Sequence, residues 1–343
     1  MVLQQDIFKR NEHLSKPSKM TTNDHVTVSV PGRICLFGDK VDLLGKPVIA
    51  AAIDATMEVS VKRRDDDIVI FYSKDLDVKV QFSLTDKTPY EHPLKYWSAI
   101  VDRLKNKISG FEAVVESEIP IGVGLSSSAA VSVGLIKALV ELFDLDMNKD
   151  DIAELAYRCE HDDLGISCGR MDQYSISYGG VTYIETGDVP KVTSLEVGSL
   201  PVVVGNTQEP RKAEVVLNRI REQINRKDPT ILNAFKEIEE VVRKGRQELL
   251  EGNYKKIGQL MTHQQAQENV LEAATDKLNQ FCKKAIEAGA HGAKQMGAGG
   301  GGCMIAVCPG KQQQVKEVIE KAGGQPWIFK VFRYNDKDSE SEQ

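Results

Sequence analysis

Residues 120–130 read PIGVGLSSSAA and run directly into VSVGLIKALVELF. In that run Leu135, Ile136, Leu139, Val140 and Phe143 recur at i, i+3/i+4 spacing, which predicts a helix with an apolar stripe. Glycines ahead of it let the backbone approach a ligand closely. Ser126 or Ser127 stands where a helix cap is expected. The first-turn N–H groups lack partners and the helix dipole favours an anion there. A nucleotide phosphate fits such a site, and serine hydroxyls suit Mg²⁺. An ordinary serine-capped buried helix would read the same way, and the phosphate-loop pattern GxxxxGK[ST] is absent.

Three other segments carry chemistry. Residues 297–303, GAGGGGC, place five glycines in seven positions. Each costs up to about 1 kcal/mol relative to alanine in a regular element, and the run ends in the apolar strand pattern CMIAV. An ordered loop lying against something is expected rather than a flexible one. Residues 160–174, EHDDLGISCGRMDQY, hold four carboxylates, one histidine and one arginine. Asp172 falls between a turn and YSISYGGVTYI, which reads as buried strand, so it is a candidate base or metal ligand. Any one of these acids also suits a solvated or capping position. Residues 31–45, PGRICLFGDKVDLLG, put Arg33 after a Pro-Gly turn, with Asp39 and Asp42 straddling Lys40. Alone, that segment fits an ordinary charged loop.

Composition bounds the rest. The 343 residues suggest about two domains, and 41% apolar content is enough for real cores. No apolar run approaches the roughly 20 residues of a membrane span. A net charge of −6 argues against a general nucleic-acid binder. Six cysteines without a CxxC pair give neither a zinc pattern nor a disulfide framework. The start lacks an apolar signal region, so a cytoplasmic protein is expected, as monomer or homodimer. The expected organisation is a polar arm over 1–24, domains over 25–195 and 196–334, and a polar tail over 335–343. Strands are expected at 25–30, 48–64, 111–118, 201–205, 303–307 and 327–333, with a hairpin at 65–67. Helices are expected at 94–105, 150–161, 210–225, 230–250, 254–272, 275–289 and 315–322.

Taken in order, PGRICLFG, PIGVGLSSSAA and KQMGAGGGGC resemble the motifs of the GHMP kinases, over roughly residues 26–333. The resemblance implies an α+β two-domain fold: a ribosomal S5 domain 2-like N-terminal domain and a ferredoxin-like C-terminal domain. It implies ATP over the loop of Pro120, Gly122, Gly124, Leu125, Ser126, Ser127, Ser128 and Ala129, with a small-molecule acceptor in the cleft between domains. The stretch EHDDLGISCGRMDQ is similar to the galactokinase-branch pattern EHxxxGxxCGxMDQ. By that likeness Asp172 would be the catalytic base and Arg33 would lie beside it and the phosphate. Glu160, Ser127 and Ser128 would hold Mg²⁺. Asp39, Lys40, Asp42, Gly169, Arg170, Arg211, Gly299 and Gly300 would face the acceptor. For adenine, Tyr96 and Trp97 are candidates, although core packing is the commoner role for such residues.

Departures from the galactokinase pattern concern the substrate. Where galactokinases read GEHTDYNGG, this chain reads GDKVDLLGK. Asp42 is kept, Asp39 is one methylene short, Lys40 replaces His, and Leu43, Leu44 and Lys46 also differ. The segments GAKQMGAGGGGC and GNTQEPRKAEVVLNRIRE are more similar to mevalonate kinases. Lys40, Lys46, Arg170 and Arg211 lie in or beside acceptor-facing segments, which would suit an anionic acceptor unless they are solvated rim charges. The expected activity is ATP-dependent transfer of the γ-phosphoryl group to a hydroxyl of a sugar or sugar-like acceptor. Alternatives are a mevalonate or mevalonate-phosphate kinase, a catalytically silent sugar/ATP sensor, and a related decarboxylase.

Overall fold

The computed structural model describes residues 24–334. The arm expected over 1–24 (Asp24 apart) and the tail over 335–343 lie outside the described residues. Strand β1, His25–Phe37, pairs antiparallel with β2, Val48–Arg63, along its length. The expected PGR turn is instead continuous strand in β1, opposite a bulge in β2 at Asp54–Ala55 where the register shifts between Pro31 and Gly32. Pairing with β2 on both sides of that shift holds the chain extended, and Arg33 reaches the loop of residues 120–126. There the Arg33 N–H donates to the Leu125 carbonyl at 3.1 Å.

Next come β3, Ile68–Ser73; β4, Val78–Ser83; α1, Lys95–Leu104; and β5, Phe111–Ser117. Residues 65–67 do not form the expected hairpin. Strand β5 inserts between β2 and β3, antiparallel to one and parallel to the other, and β3 makes its hairpin with β4. Arg64 fixes this by bonding Asp66 at 2.8 and 2.6 Å and Glu112 of β5 at 2.6 Å.

Helix α2, Ser127–Phe143, is followed by α3, Lys149–Arg158, which opens with a capping box between Asn148 and Asp151. Residues 159–163 widen into a π turn. Helix α4, Met171–Tyr178, takes the first part of the segment expected as strand, residues 174–178, and only its end is strand, as β6, Val181–Glu185, which β7, Lys191–Leu195, follows. Packing against α2 and α3 buries nearly all of α4, so no solvent face remains to give it helical periodicity. The large sheet runs β4-β3-β5-β2-β6-β7, with β1 on β2.

The second half opens with β8, Val202–Asn206, then α5, Ala213–Asn225; α6, Pro229–Leu250; α7, Tyr254–Val270; and α8, Asp276–Glu287. It closes with β9, Gly292–Gln295; β10, Cys303–Val307; α9, Gln312–Lys321; and β11, Gln325–Trp327. These strands form an antiparallel sheet ordered β11-β8-β10-β9. Its alternation follows period two. Val203, Met304 and Ala306 belong to a small core with Leu278, Phe281, Val315 and Ile319 of α8 and α9. Val202, Val204, Ile305 and Val307 join the main core, which includes Ile257 and Met261 of α7. The strand expected over 327–333 stops at Trp327, because the chain leaves the small sheet and Val331 bridges Ile53 of the large one. All six cysteines are free. Among the described residues no helix is long and apolar enough to cross a membrane.

Candidate active site

The site is assembled where Arg33 of β1, the N-terminus of α2 and the N-terminus of α4 meet. Asp172 lies in the first turn of α4. Arg33 grips its carboxylate with Nε and Nη2, both at 2.7 Å, and gives Nη1 to the Gly124 carbonyl at 2.8 Å. Such a bidentate pair fixes orientation as well as charge. Burial opposes the charge on Arg33, but Asp172 more than offsets it and the guanidinium stays strongly basic.

Ser126 departs from its expected capping role. Its backbone is left-handed, φ 64°, and its hydroxyl donates to Asp172 Oδ2 while accepting no N–H of α2. Positive φ is uncommon outside glycine, and here the Asp172 bond accompanies it. Helix α2 thus carries no side-chain cap, which leaves its first-turn N–H groups free for an anion.

A cavity of about 410 Å³ opens over this turn, lined by Gly122, Gly124, Ser126, Ser127 and Ser128, with Asp172, Arg33 and Arg211 at one end. Tyr96 and Leu94 line it as well. Trp97 does not: its ring is buried against Phe71 at 5.1 Å and its Nε1 donates to the Val131 carbonyl at 2.8 Å. Leu125 and Ala129 are also buried in the core, and Pro120 lies outside the lining, so these three expected loop contacts are not side-chain contacts.

Glu160 is turned inward by the π turn, 3% exposed, while His161, Asp162 and Asp163 stay exposed. Burial, reinforced by the Asp172 charge, pushes its carboxyl up to about 8. Its Oε1 has no hydrogen-bond partner. Glu160 lines neither cavity, but it lies near enough to Asp172, which lines the first, for their charges to interact, and an unpartnered carboxylate oxygen there suits a cation. Among the described residues no three acidic, histidine or cysteine side chains gather into a cage.

A second cavity of about 430 Å³ is lined by Asp42, Gly169 and Arg170, three of the residues expected to face an acceptor, and by Tyr157, His161 and Arg221 among others. Asp42 accepts the Met171 N–H at 3.4 Å. Burial, then the Asp172 charge, raises its carboxyl to about 6. Gly169 makes room for it: a Cβ there would fall 2.1 Å from Asp42 Oδ2. Gly169→Ala is therefore expected to displace Asp42 and lower kcat/KM for the acceptor by at least about tenfold, or ~1.4 kcal/mol, with the KM for ATP unchanged. Steady-state kinetics check this.

Other residues expected at the acceptor are committed elsewhere. Asp39 is fully buried and accepts from Lys294, from Gln264 Nε2 at 2.8 Å and from the Gly297 N–H at 2.5 Å. Burial alone would raise its carboxyl, but the Lys294 and Lys40 charges hold it below the usual range. Lys40 pairs with buried Glu268 at 2.5 Å and donates to the Gly297 carbonyl at 3.0 Å. Lys46 pairs with Glu239 at 3.1 Å, and Arg170 with Glu154 at 2.9 Å. Each of these three cations thus has a carboxylate partner within the protein, although Glu239 also pairs with Arg243 and Glu154 with Arg158. Gly299 and Gly300 line neither cavity. They pack the glycine loop against Ala273 and Lys212, and a Cβ on Gly299 would come within 2.2 Å of the Ala273 carbonyl. Of the basic group, Arg170 lines the second cavity while paired with Glu154, and Arg211 lines the first. It extends over Gly124, Gly297 and Gly302, and its Nη1 reaches the Gly122 carbonyl at 3.4 Å.

Glu268, Lys294 and Gln264 were not singled out in the sequence. The available hint was a lysine inside the otherwise uncharged run GAKQM, which the structure shows as the fully buried strand β9.

Comparisons with known proteins bear on the whole chain. The model described as GHMP kinases N terminal domain matches residues 93–180, and that described as GHMP kinases C terminal matches residues 246–325. A mevalonate kinase of Pyrococcus abyssi is 32% identical over 326 residues, covering 90% of this chain and 96% of that protein. A galactokinase of Pyrococcus furiosus is 28% identical over 316 residues, covering 82% and 88%. Among solved structures, Lactococcus lactis galactokinase complexed with galactose superposes with a TM-score of 0.80 at 23% identity, covering 91% of this chain and 95% of that one. Methanococcus jannaschii mevalonate kinase gives 0.76 at 25% identity, covering 91% and 99%.

Proposed function

This chain belongs to the GHMP kinases, small-molecule phosphotransferases acting on hydroxyl groups, and on that premise we propose that its acceptor is an uncharged polyhydroxylated molecule of the sugar class. The observation that carries the reading is charge accounting in the cleft. Lys40, Lys46 and Arg170 each have a glutamate partner, Glu268 for Lys40, Glu239 shared by Lys46 and Arg243, and Glu154 shared by Arg170 and Arg158. Asp42, by contrast, borders the second cavity with one backbone N–H as its hydrogen-bond donor. A carboxylate with spare lone pairs binds hydroxyl donors and disfavours a second anion.

In this reading ATP lies over the α2 N-terminus, with its phosphates against Gly122, Gly124 and Ser126 to Ser128. Glu160, Ser127 and Ser128 would hold Mg²⁺, which would supply neutralisation of charge on the transferring phosphoryl group. Asp172 accepts the proton of the acceptor hydroxyl, and Arg33 with Ser126 keeps its carboxylate in place. Because the chemistry is mainly positioning and electrostatics, this clamp matters as much as the base itself.

Mevalonate is the second reading, favoured by 32% identity to mevalonate kinases across nearly the full chain. In it, Arg211 would meet the acceptor carboxylate. A coupled ADP-release assay over neutral hexoses, mevalonate and mevalonate phosphate separates the two, with Asp172→Asn as control. Hexose turnover lost in the control is the expected result. Turnover confined to mevalonate or its phosphate would replace the sugar reading. Carbon dioxide release would indicate a decarboxylase, and ATP binding without turnover on any acceptor would indicate a sensor.

A further inference from the structure

We infer that residues 328–334, after β11, form a strap that holds the catalytic helix α4 in place, and that Tyr334 is its positioning residue. The chain crosses between the two sheets twice. The first crossing, residues 196–201, joins β7 to β8. The second begins after Trp327, where the chain returns to the large sheet. There the Asp54 N–H donates to the Lys330 carbonyl at 3.1 Å and the Phe332 N–H to the Ala52 carbonyl at 3.0 Å. The Gly180 N–H donates to the Phe332 carbonyl at 2.8 Å. Arg333 Nη2 reaches the Val197 carbonyl at 2.9 Å, tying the two crossings to each other.

Tyr334 ends the strap against the elements that carry the chemistry. Its hydroxyl donates to the Ile176 carbonyl of α4 at 2.9 Å, one helical turn beyond Asp172. Its ring lies against Gly179, where a Cβ would come within 2.9 Å. Lys137 of α2 sits 3.5 Å above the same ring and donates to the Ser177 carbonyl at 3.1 Å, placing a cation at the C-terminal end of α4. One tyrosine thereby couples the C-terminal end of α4 to α2, and the opposite ends of those helices carry Asp172 and the serine turn. Helix α4 spans only eight residues. A helix that short is marginal alone and takes its position from tertiary contacts. Because the strap issues from the small sheet, displacement of that sheet pulls on the helix that aims Asp172.

The inference rests on membership of the kinase family, not on the identity of the acceptor. The test compares Tyr334→Ala and Tyr334→Phe in the full chain, by kinetics and by amide hydrogen exchange. Tyr334→Ala is expected to lower kcat by about 10- to 100-fold, with the KM for ATP within about twofold. Amides of residues 174–179 should exchange at least about tenfold faster while those of the small sheet keep their protection. Tyr334→Phe keeps the ring between Lys137 and Gly179 and should recover most of kcat. Unchanged exchange in α4 would overturn the proposal, as would a kcat loss matched by equal loosening of the whole protein. If Tyr334→Ala fails to fold, Tyr334→Leu takes its place under the same two criteria. Exchange needs no acceptor, so a wild type inactive on every sugar would count against the sugar reading and leave the strap to be decided on α4 protection.

Discussion

Asp172→Asn lowers kcat by roughly 10²- to 10⁴-fold, the range expected for loss of a positioned general base. Asparagine keeps the size of the side chain but cannot take the hydroxyl proton. It also presents an amide donor to a guanidinium that now makes two bonds of 2.7 Å to the carboxylate. One of those contacts becomes donor against donor, so Arg33 loses half of its grip. ATP affinity should change little, because Gly122, Gly124 and the serines of the turn remain. Rapid-quench measurement of one turnover, beside equilibrium binding of an ATP analogue, separates the two effects. A kcat within threefold of wild type would remove Asp172 from the role of base.

Glu268→Ala costs about 3–5 kcal/mol of stability, the usual consequence of leaving one member of a buried ion pair uncompensated. Lys40 and Glu268 are both almost wholly buried, and the neighbouring Asp39–Lys294 pair is fully so. For a fold with 5–15 kcal/mol in total, such a loss takes a large share. The double variant Lys40→Met with Glu268→Met should regain most of it, because a buried pair replaced by apolar residues of similar volume is often neutral. Urea unfolding gives the stabilities. The same double variant decides what Lys40 does. If it only packs, acceptor KM stays within about twofold; if it touched the acceptor, KM would rise about tenfold.

Much of the catalytic end was legible because its chemistry is local in sequence. The serine turn, Asp172 and Arg33 lie in three short motifs, and the structure brings them within hydrogen-bond distance of one another. Misreadings came where a distant partner decides. Pro31–Gly32–Arg33 has turn composition, yet pairing of β1 with β2 on both sides of the register shift keeps it in a strand. The run 171–178 has no helical stripe because both its faces are covered. Lys40 and Arg170 looked like anion ligands because nothing nearby in sequence marks Glu268 or Glu154 as their partners. Charge type was readable from position, whereas charge already satisfied was not.

Arg211 has a consequence for how this protein can be recombined. Its side chain extends across Gly124 of the large unit and across Gly297 and Gly302 of the small one, within 3.2–3.9 Å of where their side chains would begin. Neither loop can be exchanged for a bulkier counterpart without moving that arginine, and moving it uncovers the other loop. Any chimera joining one half of this chain to a half from a relative must therefore transplant all three segments together, although they are far apart in sequence.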